Sequence, residues 1–311
     1  MELYLVTGGA GFIGSHLVEE LLKRGHRVRV IDNFLTGKRE NLASFADKIE
    51  LLEADIRDSR ACTQAVRGVN YVLHQAALPS VSRSIEDPLL VTEINVGGTL
   101  NLLIASAEAK IKRFVFASST AVYGDDPHLP KIEEREGNPL SPYALSKLAA
   151  EKYCQIFSRI YGLSTICLRY FNVFGPRQDP FSPYAAVIPN FIMKFLRGEQ
   201  PPIFGDGEQS RDFVYVLDVV EANLLASQAE DVSGEIFNIA RGVGITVNSL
   251  AAQIKEILRT PLGISYEKSR PGEIRYSFAD ISKARKMLKY NPKFSLREGL
   301  EKTIRWFRER K

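Results

Sequence analysis

Short apolar runs alternate with stretches of helical apolar spacing through the first half of the chain. Runs rich in β-branched and aromatic residues occupy positions 3–7, 27–31, 49–53, 71–74, 113–117 and 164–169, and each predicts a strand. Helical spacing separates several of them, as at 15–24 and 88–109. Strands that alternate with helices imply right-handed crossovers and a parallel sheet covered on both faces. We therefore predict an α/β fold with a doubly wound parallel sheet.

The regular alternation stops after residue 169. Residues 169–180 are rich in aromatic and turn residues, which is typical of a chain that leaves its sheet to build a lid or a pocket. Helical spacing returns at 217–228, 247–259 and 296–308, and another strand is predicted at 235–239. We predict two units. The first is residues 1–170 with a return segment near 213–240, and the second is a smaller α/β lobe of residues 171–311.

Composition narrows the choice of partners. Charged residues make up 25% of the 311 residues and the net charge of +4 is scattered, so no electrostatic footprint for nucleic acid stands out. The four histidines lie far apart and favour no metal site, and the three cysteines form no CxxC pair. No apolar run reaches the roughly 18 residues that span a bilayer. We expect a cytoplasmic protein with no metal, nucleic-acid or membrane partner.

A glycine-rich turn joins the first strand to the first helix. Its sequence is Gly8-Gly-Ala-Gly11-Phe12-Ile13-Gly14, with the spacing Gly-x-x-Gly-x-x-Gly. Glycines allow the backbone to approach a pyrophosphate, and the N-terminus of the helix offers N–H groups and the positive end of a dipole. In this strand-turn-helix context the motif predicts a dinucleotide-binding Rossmann domain.

Polar and small residues at the ends of the following strands extend the predicted cofactor site. Asp32 ends the second strand, eighteen residues after Gly14, where a carboxylate accepts hydrogen bonds from both ribose hydroxyls and repels a 2′-phosphate. NAD is therefore favoured over NADP, although the basic residues Lys38 and Arg39 follow closely. Further candidates at strand ends are Asn33, Asp55, Ile56, Gln75, Ala76 and Ala77. We assign Asn95, inside a helical pattern, a structural role.

Tyr143 and Lys147 are the candidate catalytic pair. Ser141-Pro142 predicts the start of a helix, which places the two residues at i and i+4 on one face. A nearby cation favours the phenolate and lowers the pKa of the phenol, so the pair can exchange a proton with a hydroxyl. Ser119 follows the fifth predicted strand, where its hydroxyl can hydrogen-bond the substrate oxygen that Tyr143 deprotonates.

The glycine turn, Asp32, Ser119 and Tyr143…Lys147 occur in an order and spacing that resemble the short-chain dehydrogenase/reductase family. Over essentially the whole chain the sequence is similar to the extended branch, and within it to the UDP-sugar 4-epimerases. The resemblance implies that NAD stays bound. Tyr143 removes the proton of the sugar 4-hydroxyl while hydride passes from carbon 4 to NAD, the 4-keto sugar turns over, and hydride returns to the opposite face.

The resemblance also implies a UDP-sugar site in the second lobe. Asn172, Arg211 and Arg270 match residues that hold the diphosphate, and Glu273 matches the carboxylate that takes the uridine ribose hydroxyls. Ser277 stands where some relatives have a tyrosine, and it leaves room for an N-acetyl group. Ser80 lies in a stretch that resembles epimerases preferring UDP-N-acetylglucosamine. In relatives, the helices equivalent to 99–109 and 146–161 pair across a homodimer.

Residue type tests the nearest alternatives. Sugar-nucleotide 4,6-dehydratases carry an Asp-Glu pair after the serine, because elimination of water needs an extra acid and base. UDP-glucuronate decarboxylases usually have a Glu at the second of these positions. Here the two positions are Thr120 and Ala121, so 4-epimerisation of UDP-N-acetylglucosamine or UDP-glucose is preferred. A UDP-glucuronate 4-epimerase, another sugar-nucleotide oxidoreductase and a non-catalytic NAD sensor remain alternatives.

Overall fold

The computed structural model describes residues 1–135, 137–180, 186–269 and 274–310. Its main sheet has seven parallel strands: β1 (Leu3–Thr7), β2 (Arg27–Asp32), β3 (Ile49–Glu53), β4 (Tyr71–His74), β5 (Arg113–Ser119), β6 (Thr165–Tyr170) and β11 (Glu235–Ile239). The strand order is β11-β6-β5-β4-β1-β2-β3. Strands β1, β4 and β6 are buried along almost their whole length, as expected for a sheet with helices on both faces. The predicted α/β fold is confirmed.

The strand order reverses between β1 and β4. From β1 the chain proceeds to β2 and β3 in one direction, and then returns to β4, β5 and β6 in the other. In open parallel sheets, ligands bind outside the carboxyl ends of the strands at such a reversal. The glycine turn follows β1 and Gln75 follows β4, so the predicted cofactor residues meet at this point.

Helices cover both faces of this sheet. They are α1 (Phe12–Lys23), α2 (Ser59–Ala65), α3 (Val81–Glu86), α4 (Pro88–Thr92), α5 (Thr99–Glu108), α6 (Pro142–Tyr161) and α8 (Val216–Gln228). One apolar core lies under α1 and α8, and another lies under α2, α5 and α6. Residues 93–98 form a π-helical stretch between α4 and α5, where sequence periodicity alone predicted a regular helix.

Most of the remaining elements form the smaller lobe around a third apolar core, apart from the helix at 282–287, whose Ala284 is buried in the core under α1 and α8. The remaining elements are the strands β7 (Asn172–Phe174), β8 (Pro202–Phe204), β9 (Ser210–Arg211), β10 (Phe213–Tyr215), β12 (Ile245–Thr246), β13 (Ser265–Glu267) and β14 (Tyr276–Ser277), and the helices α7 (Val187–Leu196), α9 (Val247–Leu258), α10 (Ser282–Met287) and α11 (Leu296–Glu309). Phe174, Phe191, Leu250 and Leu300 are buried in this core. The lobe stands next to the end of β6, because β7 starts two residues after β6 ends.

Two boundaries near the site differ from the prediction. The fifth strand continues to Ser119 instead of ending at residue 117, because Ser118 and Ser119 stay in register with Arg169 and Tyr170 of β6. The first helix starts at Phe12 instead of residue 15, so part of the glycine motif is already helical. Both changes move candidate residues from a loop onto a regular element.

One helix of the described residues is long and apolar enough to cross a membrane. It is Pro88–Glu108, with 21 residues, and an 18-residue window within it has a mean hydropathy of 1.4. The expectation that no stretch reaches this length is therefore wrong. About half of the helix is buried, and Val91, Ile94, Leu102 and Leu103 pack in the core beneath it. Because core helices pass the same test of length and composition, the apolar character is explained by packing against the sheet.

Candidate active site

The glycine turn packs directly against the end of β4. Gly8 has a left-handed backbone (φ +66°), and a Cβ there would lie 2.8 Å from the Ala76 backbone. A Cβ on Gly14 would lie 2.1 Å from the carbonyl oxygen of Gly8. Only glycine fits both positions, so the backbone can come close to a ligand at the start of α1.

The N-terminus of α1 is suited to bind phosphate. Gly11 occupies the N-cap position and supplies no side chain to cap the helix. The first N–H groups of a helix have no partner within the helix, and they carry the positive end of its dipole. A dinucleotide pyrophosphate fits this turn.

Asp32 lies where the cofactor ribose is expected. Its carboxylate is 8% exposed and accepts hydrogen bonds from the Ala10 N–H at 2.9 Å and the Phe34 N–H at 2.8 Å. Burial raises the pKa of this carboxyl, and the two backbone hydrogen bonds act in the opposite direction. Each oxygen keeps a further lone pair for a ribose hydroxyl.

The two basic residues that follow Asp32 both have acidic partners. Lys38 lies 3.5 Å from Asp179, and Arg39 lies 2.5 Å from Glu53. Neither cation is left without a counter-charge beside the carboxylate, so the site fits a free 2′-hydroxyl better than a 2′-phosphate. The geometry therefore favours NAD, in agreement with the sequence analysis.

A cavity of about 960 Å³ runs along the carboxyl edge of the sheet. Its lining includes every residue predicted to bind the cofactor: Gly8, Gly11, Phe12, Ile13, Gly14, Asp32, Asn33, Asp55, Ile56, Gln75, Ala76, Ala77, Tyr143 and Lys147. Asn33 donates to Asp55 at 2.8 Å, which joins the ends of β2 and β3 at one end of the cavity. Ser80 and Ser119 also line it. The cavity is large enough for a dinucleotide and part of a substrate.

Helix α6 brings Tyr143 and Lys147 to the floor of this cavity. The hydroxyl of Ser141 accepts a hydrogen bond from the Ala144 N–H, and Pro142 occupies the first turn, so the predicted helix start is confirmed. The side chain of Tyr143 interacts with Ser119 at the end of β5. The two candidate residues that would contact the reacting hydroxyl of a substrate are therefore next to each other.

Burial dominates the electrostatics of Tyr143. Burial raises the pKa of Tyr143, and the hydrogen bond with Ser119 lowers it only in part. The Lys147 ammonium has partners on β5. It donates to the Ala117 carbonyl at 2.8 Å and lies 4.8 Å from the centre of the Phe116 ring. The prediction that Lys147 lowers the pKa of Tyr143 stays a prediction.

Lys147 is itself strongly affected by its surroundings. It is 4% exposed, and burial lowers its pKa from 10.5 to about 8, although the charge of Glu151 acts in the opposite direction. A lysine with a pKa near 8 is sensitive to every charge in its neighbourhood.

Asn95 is more than a local helix residue. It is 1% exposed, and its side chain exchanges hydrogen bonds with the backbone of Leu78 at 2.8 and 3.3 Å. It also donates to the Ser146 hydroxyl at 3.0 Å. Asn95 therefore ties the loop that lines the cavity to α6, which agrees with the predicted structural role and shows its partners.

Several buried polar residues next to the site were not singled out by the sequence. His74 joins Thr7 and Thr99 through its two ring nitrogens, at 2.6 and 2.9 Å. Glu151 and Arg169 form a buried pair beneath Ser118. A polar residue at helical spacing from Lys147 was the only signal for Glu151, and Arg169 carried none because it interrupts an apolar strand.

The substrate residues predicted in the second lobe lie outside the lining of this cavity. Arg211 and Ser277 are paired across β9 and β14, and the Asn172 N–H donates to the carbonyl of Asp212 at 3.0 Å. The Asn172 side-chain amide is buried, and its nitrogen has no partner among the described residues. Arg211 and Ser277 therefore lie on neighbouring strands, and Asn172 lies on β7, which pairs with β10 in a separate sheet. Arg270 and Glu273 lie outside the described residues.

Metal ligation has little support in the described part of the chain. No group of three or more His, Cys, Asp or Glu side chains there could hold an ion. The cysteines Cys62, Cys154 and Cys167 are free and buried.

Comparison with known proteins decides the family. Residues 4–240 match the NAD dependent epimerase/dehydratase family. The chain belongs to this family. The predicted resemblance to the extended short-chain dehydrogenases/reductases is thereby confirmed, and NAD is the cofactor.

Members with known names cover almost the whole chain. The UDP-glucose 4-epimerase of Mycolicibacterium smegmatis is 38% identical over 310 residues, which cover 98% of each chain. The UDP-N-acetyl-alpha-D-glucosaminuronate decarboxylase of Bacillus cytotoxicus is 37% identical over 316 residues, covering 98% of this chain and 97% of that one. The epimerase/dehydratase family therefore includes related enzymes with different reactions on UDP-sugars.

Two solved structures of 4-epimerases superpose closely. The UDP-N-acetylglucosamine 4-epimerase of Methanobrevibacter ruminantium M1, in complex with UDP-N-acetylmuramic acid, has a TM-score of 0.96 and 41% identity, and covers 100% of this chain and 99% of that one. The UDP-glucose 4-epimerase of Thermotoga maritima, with UDP-glucose, has a TM-score of 0.94 and 42% identity, and covers 99% of both chains. Solved structures that are similar to this chain thus contain bound UDP-sugars.

Proposed function

We propose that this protein is a UDP-sugar 4-epimerase that interconverts the two configurations at carbon 4 through a 4-keto intermediate. The observation that carries the proposal is the contact of Ser119 with Tyr143 in the cofactor cavity, followed by Thr120 and Ala121. One acid–base group is sufficient for epimerisation. The next two positions hold side chains that cannot supply the extra acid and base of a dehydratase.

The chain's own residues supply binding and proton transfer. When bound, NAD would be held by the glycine turn and Asp32 and would supply the reversible oxidation at carbon 4. Tyr143 takes the proton of the 4-hydroxyl and later returns it, and Ser119 holds the same oxygen. Because burial raises the pKa of Tyr143, the phenolate depends on the Ser119 hydrogen bond and on positive charge nearby. Lys147, one helical turn away, is the cation of the same helix face.

We propose that UDP-N-acetylglucosamine and UDP-glucose are both accepted. Ser277 is smaller than a tyrosine and lies beside Arg211, where we place the substrate phosphates. The unpartnered amide nitrogen of Asn172 is a donor for the same diphosphate. An apolar pocket built for the larger sugar discriminates weakly against the smaller one, by roughly 1–3 kcal/mol per missing group.

A product analysis tests the reaction. Purified protein is incubated without added cofactor with UDP-glucose, UDP-N-acetylglucosamine and UDP-glucuronate in separate reactions. We expect the 4-epimers of the first two, formed without net change in NADH absorbance. A product that has lost carbon dioxide or water, or stoichiometric consumption of added NAD, would replace the epimerase by another activity of the family.

We also propose a homodimer through α5 and α6. Leu145 and Ile160 on α6 are 58% and 71% exposed, and Ile104 on α5 is 43% exposed. Two other apolar residues of α6, Leu148 and Tyr153, pack against the cores of the same chain. Light scattering should give twice the chain mass, and Ile160→Glu should shift the protein toward the monomer.

A further inference from the structure

Three consecutive residues of β5 contact three successive turns of α6. Tyr143, Lys147 and Glu151 are spaced four residues apart and share one helix face. Tyr143 interacts with Ser119, and Lys147 donates to the carbonyl of Ala117. Glu151 accepts a hydrogen bond from the hydroxyl of Ser118 at 2.5 Å. The candidate catalytic pair therefore continues into a third position, which neither the motif nor the proposed mechanism uses.

Glu151 is a buried carboxylate with fixed geometry. It is 0% exposed, and Arg169 on β6 is 1% exposed. The guanidinium donates to Oε1 at 2.9 Å and to Oε2 at 2.8 Å. Arg169 also lies 4.7 Å from the centre of the Tyr123 ring. With both carboxylate oxygens held, Glu151 cannot turn away from the helix face that it shares with Lys147.

Packing alone does not explain such a pair. Desolvation of two ions is costly, and well-packed apolar residues of similar volume are often as stable or more so. The pair lies directly below the reactive end of α6 and next to the apolar core under that helix. A charge kept in this place therefore suggests a role in the neighbouring site.

We propose that Glu151 is a positioning residue for the reaction, acting through Lys147: its carboxylate, fixed by Arg169 and Ser118, keeps the Lys147 ammonium charged within the apolar floor of the site. The proposal rests on the proposed function, since it assigns that charge a part in proton transfer at Tyr143.

The other groups around Lys147 cannot take over this task. Phe116 and Ala117 of β5 offer a ring face and a carbonyl. Cys154, one turn beyond Glu151, also raises the pKa of Lys147, but less than Glu151 does. His74 of β4 is neutral, because burial and the nearby Lys147 lower its pKa to about 3.

Two more titratable groups interact with Glu151. Arg169 of β6 is positive, and its charge is paired with Glu151. Burial raises the pKa of the Cys167 thiol, which keeps it neutral. Burial lowers the pKa of Lys147 to about 8, and the Glu151 charge is the largest opposing effect.

The test measures the protonation of Lys147 in two ways. The first is the decrease of kcat with rising pH in the alkaline range, measured with a UDP-sugar. The second is the chemical shift of ¹⁵N-labelled lysine amines during a pH titration, with Lys147→Gln used to assign the signal. In the wild-type protein we expect the Lys147 signal to titrate near pH 8. Glu151→Gln should lower this value by about one pH unit, so that kcat at pH 9 falls about tenfold with little change in KM.

Further variants separate this role from stability. Glu151→Asp keeps the negative charge, so its decrease of kcat at alkaline pH should stay close to that of the wild-type protein. Glu151→Gln/Arg169→Gln removes both charges, so it should fold if the single variant does not. Its decrease of kcat at alkaline pH should still begin at a lower pH than in the wild-type protein. Asp218→Asn is the matched control, because Asp218 is a buried carboxylate of α8 that bonds the backbone of Lys293 and Phe294 far from α6. It should lower the melting temperature and leave the alkaline decrease of kcat unchanged.

An unshifted lysine titration in the double variant, or an equal shift in Asp218→Asn, would overturn the proposal. If the wild-type protein epimerises no UDP-sugar, the proposed function fails. The lysine titration still decides whether Glu151 holds the Lys147 charge, because it needs neither substrate nor turnover.

Discussion

Tyr143 shows how far a single residue depends on its surroundings. Its spacing from Lys147 follows from helix geometry, but its pKa follows from burial and from Ser119. The same is true of Lys147, whose pKa near 8 results from desolvation. At the residue scale, the type of side chain is thus encoded locally, and its protonation is set by burial and by neighbours on β5 and α6.

Tyr143→Phe should abolish turnover and leave NAD binding intact. The change removes only the hydroxyl that exchanges the proton, and general acid–base catalysis contributes about 10²- to 10⁴-fold. The measurement is kcat together with the nucleotide content of the purified protein. Tyr161→Phe, at the exposed end of the same helix, is the control and should behave as wild type. Full activity in Tyr143→Phe would refute the assignment.

Ser277→Tyr should change the choice of substrate. A tyrosine beside Arg211 fills the space that we assign to the N-acetyl group, so kcat/KM for UDP-N-acetylglucosamine should fall by roughly 10- to 200-fold. The value for UDP-glucose should change little. Ser277→Ala, which adds no volume, should keep both activities. Equal losses on the two substrates would place the N-acetyl group elsewhere.

The turn between β1 and α1 illustrates the scale of an element. A strand, a glycine turn and a helix follow from local sequence, yet the need for glycine at two positions comes from contacts with other backbone. Gly8 packs on Ala76, which is far away in sequence, and Gly14 packs on Gly8. Gly8 therefore comes into close contact with Ala76 only when β4 is paired with β1.

Gly14→Ala should abolish NAD binding. The added Cβ would lie 2.1 Å from the carbonyl oxygen of Gly8, so the turn must open. Gly97→Ala is the matched control, because a Cβ at Gly97 meets no atom within 4 Å. Bound NAD is measured by absorbance and by isothermal titration, and the fold by circular dichroism. Normal NAD binding in Gly14→Ala would show that the turn is not the phosphate site.

At the scale of the whole molecule, the sheet order determines which distant residues meet. The parallel strands bring Thr7, His74 and Ser119 to one edge, and β11 joins β6 although helices and the first strands of the smaller lobe separate them in sequence. Burial at this scale also fixes the charge of histidines. Burial lowers the pKa of His16 to about 4 and that of His74 to about 3.

The protein should lose stability as the pH falls below about 6.5. The two histidines take up protons near 6.5 in the unfolded chain and only near 4 and 3 in the folded one. The unfolded state therefore binds more protons in this window, and the free energy of unfolding decreases by up to about 1.36 kcal/mol per pH unit for each histidine. Urea unfolding at pH 7, 5.5 and 4.5 measures the slope.

His74→Gln supplies the check on this pH dependence. Its glutamine can still hydrogen-bond Thr7 or Thr99 but takes up no proton, so the slope should become shallower. An unchanged slope in this variant would assign the acid sensitivity to other groups.

The amino-acid sequence by itself determined the alternating elements, the glycine turn, Asp32 and the Tyr143–Lys147 spacing, because each depends on residues close together in the chain. The tertiary structure alone decided the extension of β5 to Ser119, the orientation of Lys147 toward Ala117 and the burial of Glu151 with Arg169. These depend on which strands become neighbours and on how much water is excluded. Periodicity carries no information on either, since desolvation and long-range pairing arise only when the chain is packed.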